Sequence, residues 1–221
     1  MTEDADGATG DASADDAGAD AADDADTGAD RASVAARDDL AGIVDLFGAL
    51  TREELADALA ELAFKRRAEA DDDAIAAAID VAVAEYFLVP APTGSVEPLP
   101  PDADALAVGP AAFPSLPPNA EDLPHILDVP DRTVDREPLA VAVLDRLETE
   151  VEAALGEGDE ATSVGEGDEA TSAEGSEADE IADGTDHDRL ETLLDVAYDV
   201  EAWAPVDTVG IRERIVEALD D

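Results

Sequence analysis

The sequence predicts a mainly α-helical protein, with a three-helix core, a small two-stranded β hairpin and additional C-terminal helices. Two observations lead to this fold class. Three successive segments repeat apolar residues with helical spacing, and two short apolar runs bounded by proline or glycine follow them. Disordered acidic segments are predicted at the N-terminus and between the core and the last helices, because they contain almost no large apolar side chain.

The first two core helices are predicted before residue 68. Apolar residues from Leu40 to Phe47 lie on one helical face, and Gly48 weakens the end of that helix. Thr51 and Glu54 have the spacing of a capping box, which marks the start of the second helix. That helix is predicted to end at residues 65–67, where positive charge favours a C-terminal dipole.

The third helix and the hairpin are predicted between residues 71 and 108. Three aspartates at 71–73 suit a helix N-terminus, and apolar residues repeat with helical spacing as far as Tyr86. The runs 87–89 and 105–108 are short and apolar, so we expect two strands. Eleven of the thirteen prolines lie between residues 90 and 130, which excludes a long helix there.

Three more helices are predicted after the proline-rich region. Asp135 is a suitable cap for the first, whose apolar residues continue to Leu155. Asp188 is a suitable cap for the second, and Pro205 separates it from the third. Because two helices alone bury too little surface to be stable, we expect the pair at 189–221 to dock on the core.

Charge and composition set the predicted domain boundaries. Residues 1–37 and 156–188 have net charges of −9 and −13 and are predicted to be a disordered tail and a disordered linker. The linker contains a nine-residue tandem copy, GEGDEATSV followed by GEGDEATSA, which has no apolar face to stack as a solenoid. The core with its following helix is then predicted at 38–155, before the helical pair at 189–221.

The acidity extends over the segments that are predicted to fold. The formal net charge is −47, and the 151 residues outside the tail and linker still carry −25. At low salt such a surface repels itself, whereas at about 1 M salt the Debye length falls to about 3 Å. This composition favours the cytosol of a halophile. No signal peptide is present, so we expect a soluble, cytoplasmic protein.

Three segments carry a family resemblance. They are LTREELADALAELAFKRR, EYFLVPAP and ALAVGPAAFPSLP. The chain resembles a family of uncharacterised acidic haloarchaeal proteins in these segments, and its order of three helices followed by two strands is that of a winged helix. The resemblance implies a shared fold and an intracellular setting, and it implies no catalytic residues.

A winged helix suggests DNA binding through its third helix. Here that helix contains no Lys, Arg, Asn or Gln, the usual residues for reading guanine and adenine. Lys65, Arg66 and Arg67 are the candidate phosphate contacts, although three cations fall short of the usual six to ten or so contacts. The alternative is that this cluster compensates the helix dipole and pairs with nearby acids.

The sequence predicts no enzyme, and it predicts no catalytic residue, cofactor or metal site. Cysteine is absent, and no nucleophile elbow, Walker A or zinc-protease motif occurs. Phe113 and Trp203 are the candidate partner-binding residues, with core packing as the alternative for Trp203. We therefore expect a non-enzymatic regulatory or protein-interaction module with an unknown protein partner. The first alternative is a winged-helix DNA-binding transcription regulator, and a third interpretation, ranked below both, is an enzyme with an unrecognised site.

Overall fold

The computed structural model describes residues 19–100, 103–161 and 176–220, with side chains described at 31–100, 103–156 and 187–220. The chain divides into two units after Ala36, and the second unit, from Arg37 to Asp221, contains the fold discussed below. The helices are α1 (Ala19–Phe47), α2 (Arg52–Lys65), α3 (Asp72–Ala84), α4 (Leu123–Ile126), α5 (Arg136–Ala161), α6 (Ser176–Trp203) and α7 (Val209–Leu219). The strands are β1 (Ala49–Thr51), β2 (Leu88–Pro90), β3 (Val96–Glu97), β4 (Ala105–Val108) and β5 (Thr133–Val134). The prediction of a mainly helical protein with a small antiparallel sheet is confirmed.

The main sheet has three strands in the order β1-β4-β2. The sequence predicted two of these strands and did not predict β1. The predicted pair is β2 and β4, which are antiparallel with Val89 opposite Ala107. Strand β1 pairs with the other edge of β4, with Leu50 opposite Leu106. Only three residues form β1, and Thr51 is also the cap of α2. Such a strand is too short to show an alternating pattern in the sequence.

Both faces of this sheet are buried, which explains why its strands read as continuous apolar runs. Successive residues alternate between the faces. Leu88 and Leu106 belong to a first core cluster formed with α1, α2 and α3. Val89 and Ala107 belong to a second cluster formed with α5, α6 and α7. The three C-terminal helices therefore cover the face of the sheet opposite α1–α3.

The start of α2 has the predicted capping box. The Thr51 hydroxyl accepts a hydrogen bond from the Glu54 amide at 3.2 Å, and the Glu54 carboxylate accepts one from the Thr51 amide at 2.7 Å. Asp71 caps α3 by accepting hydrogen bonds from the amides of Asp73 and Ala74. Both helix starts follow from side chains within four residues, which is why the sequence alone predicted them.

The described helices extend into both acidic segments, 1–37 and 156–188, whose predicted disorder stays a prediction. Helix α1 begins at Ala19, α5 continues to Ala161, and α6 begins at Ser176. Alanine and glutamate, which are frequent in these segments, have high helix propensity. Residues 1–18 and 162–175, with most of the tandem copy, lie outside the described residues.

The proline-rich region joins the core through a few apolar side chains. Ala120 and Leu123 are buried in the first cluster. Phe113, Leu116 and Ile126 are in contrast 76%, 46% and 45% exposed, although the apolar character of Phe113, Leu116, Ile126 and Leu127 suggests points of attachment. A second antiparallel pair, β3 with β5, lies in this region. Leu127, which the sequence also suggested, packs against the same cluster as Leu123.

Two glycines allow close approach of this region to α1. A Cβ at Gly42 would lie 1.8 Å from the Ser115 carbonyl oxygen, and one at Gly48 would lie 2.0 Å from the Arg132 carbonyl oxygen. Gly48 also has a φ of 79°, which disfavours other residues. The loop therefore packs backbone to backbone on α1. Among the described residues, no helix is long and apolar enough to cross a membrane.

Candidate functional site

The candidate phosphate contacts lie at the end of α2, and they are not equivalent. The Lys65 ammonium is 3.3 Å from the Asp122 carboxylate and 3.4 Å from the Asn119 carbonyl oxygen. Arg66 and Arg67 are exposed, and neither makes an ion pair within the described residues. Two cations of the three are therefore directed to solvent without a carboxylate partner in the described part of the chain.

Most of the other cations are committed to ion pairs inside the fold. Because the chain has only 12 Lys and Arg residues, these pairs leave few cations for an external ligand. The cations paired with carboxylates are Arg37, Arg52, Lys65, Arg132, Arg146, Arg189, Arg212 and Arg214. The acidic side chains that remain unpaired give the described surface its strongly negative character.

The third helix lacks the side-chain types that contact phosphate or read guanine and adenine. It contains no Lys or Arg, and its N-terminal turn carries Asp72 and Asp73. Its solvent-facing side is made largely of alanine, with Val81 at 42% exposure. Asp80 is the acidic residue farther along this helix, and it pairs with Arg52 at 2.6 Å. In place of a basic recognition surface, α3 presents a small apolar face beside acids.

A buried ion pair stabilises the side of the sheet that α1–α3 cover. Arg132 donates to the two carboxylate oxygens of Glu54 at 2.5 and 2.6 Å, and its side chain is only 3% exposed. It also donates to the carbonyl oxygens of Ala49 and Pro98. Burial alone would raise the pKa of Glu54, but the hydrogen bonds from Arg132 and Thr51 outweigh it and hold that pKa below its ordinary value.

A second polar cluster joins α3 to α5 and α6. The Arg146 guanidinium lies 3.8 Å from the centroid of the Tyr86 ring and donates to the carbonyl oxygens of Val83 and Ala84 at the end of α3. Glu150 accepts from Arg146 at 2.6 Å and also pairs with Arg189 of α6. Burial raises the pKa of the Tyr86 hydroxyl above its ordinary value, so the ring stays neutral.

The two candidate partner-binding residues have different surroundings. Phe113 is 76% exposed on a loop that its own amide fixes by donating to Asp38 at 2.9 Å. Trp203 is partly buried and packs against the second core cluster, with the Arg136 guanidinium 5.9 Å from its ring centroid. Phe113 therefore has the surroundings of a surface residue, whereas Trp203 has those of a packing residue.

The structure also exposes apolar residues that the sequence did not single out. Phe64 is 77% exposed, because the buried stripe of α2 runs through Leu55, Ala58 and Leu62. Tyr198, Val209 and Val216 line a groove between α6 and α7. Helical spacing could not reveal this groove, since it depends on how two helices pack.

The carboxylates and histidines of the described residues do not converge on one point. They contain no group of three or more His, Asp or Glu side chains with the geometry of a metal site. His125 is exposed, and the His187 imidazole lies 3.7 Å from the Glu191 carboxylate. Within the described residues these groups therefore form no candidate metal site.

The chain folds as a mainly helical protein, and helices cover both faces of its small antiparallel sheet. The chain belongs to a family of unknown function (DUF7109), whose family model matches residues 38–166 and 163–220. No curated protein and no solved structure matches the chain. The first match begins where the predicted acidic tail ends, and the two matches meet inside the tandem copy.

Proposed function

We propose that this chain is a non-enzymatic regulatory or protein-interaction module with a winged-helix-like first half. The strand order β1-β4-β2, with β1 between the first two helices, supports the winged-helix comparison. In that comparison α3 takes the place of a recognition helix. The whole of α1–β4 would then serve as a scaffold for a contact surface.

The composition of α3 carries the proposal. A helix that reads DNA needs side chains that reach base edges and cations that approach phosphate. Helix α3 instead presents alanine, Val81 and acids, and most of the described cations are used in internal ion pairs. Such a surface favours a protein partner over a polyanion, because phosphates would meet carboxylates of like charge.

The proposed setting is the cytosol of a haloarchaeal cell. The net charge of −47 supports this setting, since salt at about 1 M screens charges beyond about 3 Å. We expect the urea midpoint of unfolding to fall steeply as KCl is lowered from molar to millimolar concentration. A midpoint that does not change with KCl would contradict this part of the proposal.

The test of the interaction proposal is affinity capture of the tagged full chain from native cells in molar KCl, with and without nuclease. We expect a protein partner that remains bound after nuclease treatment. Partners recovered only with intact nucleic acid would contradict the proposal. A variant with Phe113→Ala indicates whether this exposed ring contributes, and Trp203→Phe serves as the packing control.

A specific observation favours one alternative, a winged-helix DNA-binding transcription regulator. Arg66 and Arg67 are exposed and make no ion pair within the described residues, so they are free to approach a phosphate backbone. Under this alternative the chain would bind duplex DNA in a salt-sensitive manner. Arg66→Glu would abolish that binding, whereas Arg52→Gln, which removes a cation on the side of α2 facing Asp80, would leave it unchanged.

A further inference from the structure

The groove between α6 and α7 combines three exposed apolar side chains. Tyr198, Val209 and Val216 are 53%, 43% and 42% exposed and line one cavity of about 670 Å³. Val209 and Val216 are seven residues apart on α7, so they lie on the same helical face. Three large apolar residues in one concave site differ from the scattered exposed residues that are normal on a protein surface.

The aromatic wall of the groove is held in place by a network of contacts. The Arg212 guanidinium lies 4.5 Å from the centroid of the Tyr198 ring. Arg212 is itself bound to Glu201 at 3.1 Å, and Glu201 also accepts a hydrogen bond from the Thr208 amide at 3.0 Å. The groove is therefore preorganised, which lowers the entropy cost of binding.

The rim of the groove is acidic. Glu213, Glu217 and Asp220 line it, and none of them makes an ion pair within the described residues. Glu213 and Glu217 are four residues apart and lie on the same side of α7. The one lining cation, Arg212, is already paired with Glu201. The charge around the apolar floor is thus negative.

The negative charge of the rim determines which kind of segment can bind in the groove. The terminal segment 1–18 contains six acids and no Lys or Arg, and 162–175 contains four acids and no Lys or Arg, so neither complements the rim. A second copy of the chain would place acid against acid. An amphipathic segment with an apolar stripe flanked by Arg or Lys matches both the floor and the rim, as in helix-in-groove recognition.

We infer that the groove between α6 and α7 is the docking site for a basic amphipathic segment of a partner protein. This inference rests on the proposed interaction function and names its surface. The apolar side chains of the segment would cover Tyr198, Val209 and Val216. Its cations would pair with Glu213 and Glu217.

The test is a titration of the isotope-labelled full chain in molar KCl with a synthetic peptide. The probe is about five helical turns long, with a leucine stripe flanked by arginines. We expect saturable amide shift changes in α6 and α7, centred on Tyr198 and Val216. Changes spread over the surface, or equal binding of a scrambled peptide of the same composition, would overturn the inference.

Surface variants make the test specific. We expect Val209→Glu with Val216→Glu to weaken peptide binding at least about tenfold, because it removes the apolar floor. Val141→Glu on α5 is the matched control, since Val141 is 53% exposed and lies outside the groove lining. It should leave binding unchanged. Equal loss in the control would overturn the inference.

Charge reversal tests the rim separately. At the lowest KCl concentration at which the chain remains folded, we expect Glu213→Lys with Glu217→Lys to weaken binding of the arginine peptide about threefold to tenfold, since this salt screens exposed ion pairs less than molar KCl does. The same variant should bind better to a peptide with glutamate in place of arginine. Unchanged preference for arginine would overturn the charge argument.

Affinity capture separates failure of the groove from failure of the proposed function. If the wild-type chain retains a nuclease-resistant partner and the Val209→Glu, Val216→Glu variant retains it equally, the groove is wrong and the proposed function stands. If the wild-type chain retains no such partner, the proposed function itself fails. Selective loss in the groove variant, together with peptide binding in the groove, supports the inference.

Discussion

The two sides of the central sheet use scarce positive charge in different ways. On the side of α1–α3, Arg132 is almost fully buried, with 3% side-chain exposure, and it binds both oxygens of Glu54. On the side of α5–α7, Arg146 and Arg189 share Glu150 with side-chain exposures of 26% and 38%. Each side is closed by a polar link between distant elements, but only the first link is largely removed from water.

The chain uses its few cations mainly to link elements of the fold. Burial makes an ion pair costly to break, whereas a partly hydrated pair can exchange its partner for water. Both links fix elements that are far apart in sequence, such as Glu54 with Arg132 and Glu150 with Arg189. The cations of these links are unavailable to an external polyanion, and the surplus carboxylates form the surface.

The largest effect is expected from breaking the buried link. Arg132→Met should lower the free energy of unfolding by about 3–5 kcal/mol, because it leaves the Glu54 carboxylate without its cation. Urea unfolding in molar KCl measures this loss. Arg52→Met is the matched control at an exposed pair, where the loss should not exceed about 1 kcal/mol. Equal losses would contradict the comparison.

A smaller loss is expected on the other side of the sheet. Arg146→Met should lower the free energy of unfolding by about 1.5–3 kcal/mol, because charged hydrogen bonds to the end of α3 disappear. The side chain of the introduced methionine keeps some packing against Tyr86. Arg214→Met is the control, since Arg214 reaches Glu152 only at 3.8 Å. A loss as large as that of Arg132→Met would contradict the proposed difference between the two sides of the sheet.

Acid should weaken the buried link by protonating Glu54. Since the pKa of Glu54 is lowered in the fold, its stabilising contribution is complete above its unfolded pKa of about 4.3 and is lost as pH falls through the folded pKa. Comparing wild type with Glu54→Gln in molar KCl isolates this contribution. The difference in unfolding free energy between them should narrow below about pH 4. A constant difference would contradict the assignment.

The smallest effect is expected at a repulsive pair on α6. Burial and the neighbouring charge of Asp195 raise the pKa of Asp199, so its ionised form destabilises the fold at neutral pH. Asp199→Asn should raise the free energy of unfolding by about 0.2–0.5 kcal/mol at pH 7. Adding Asp195→Asn should give less than the sum of the two single gains, because both remove the same repulsion. Full additivity would show that the pair does not interact.

The sequence predicted the features that depend on neighbouring residues. The capping box of Thr51 and Glu54 lies within four residues, and the apolar runs of β2 and β4 are readable as strands. It did not predict the Arg132 link, because Arg132 and Glu54 are 78 positions apart. Long-range pairing depends on the packed fold, and local periodicity carries no signal for it.

The candidate surfaces, too, were predicted only in part from the sequence. Lys65, Arg66 and Arg67 were visible as a cluster, but only the fold shows that Lys65 binds Asp122. The groove of Tyr198, Val209 and Val216 was missed, because each residue fits an ordinary helical position. Its concave shape arises from the packing of α6 on α7.

Salt-dependent titration of duplex DNA tests most directly whether the cations belong to the fold or to a ligand. The full chain is titrated by fluorescence anisotropy, from the lowest KCl concentration at which it remains folded to molar KCl. We expect no measurable binding, or at most a slope of log affinity against log salt of about −1.8, the value for two phosphate contacts. A slope of about −5 or steeper that Arg66→Glu with Arg67→Glu removes would contradict the account, because it requires about six phosphate contacts.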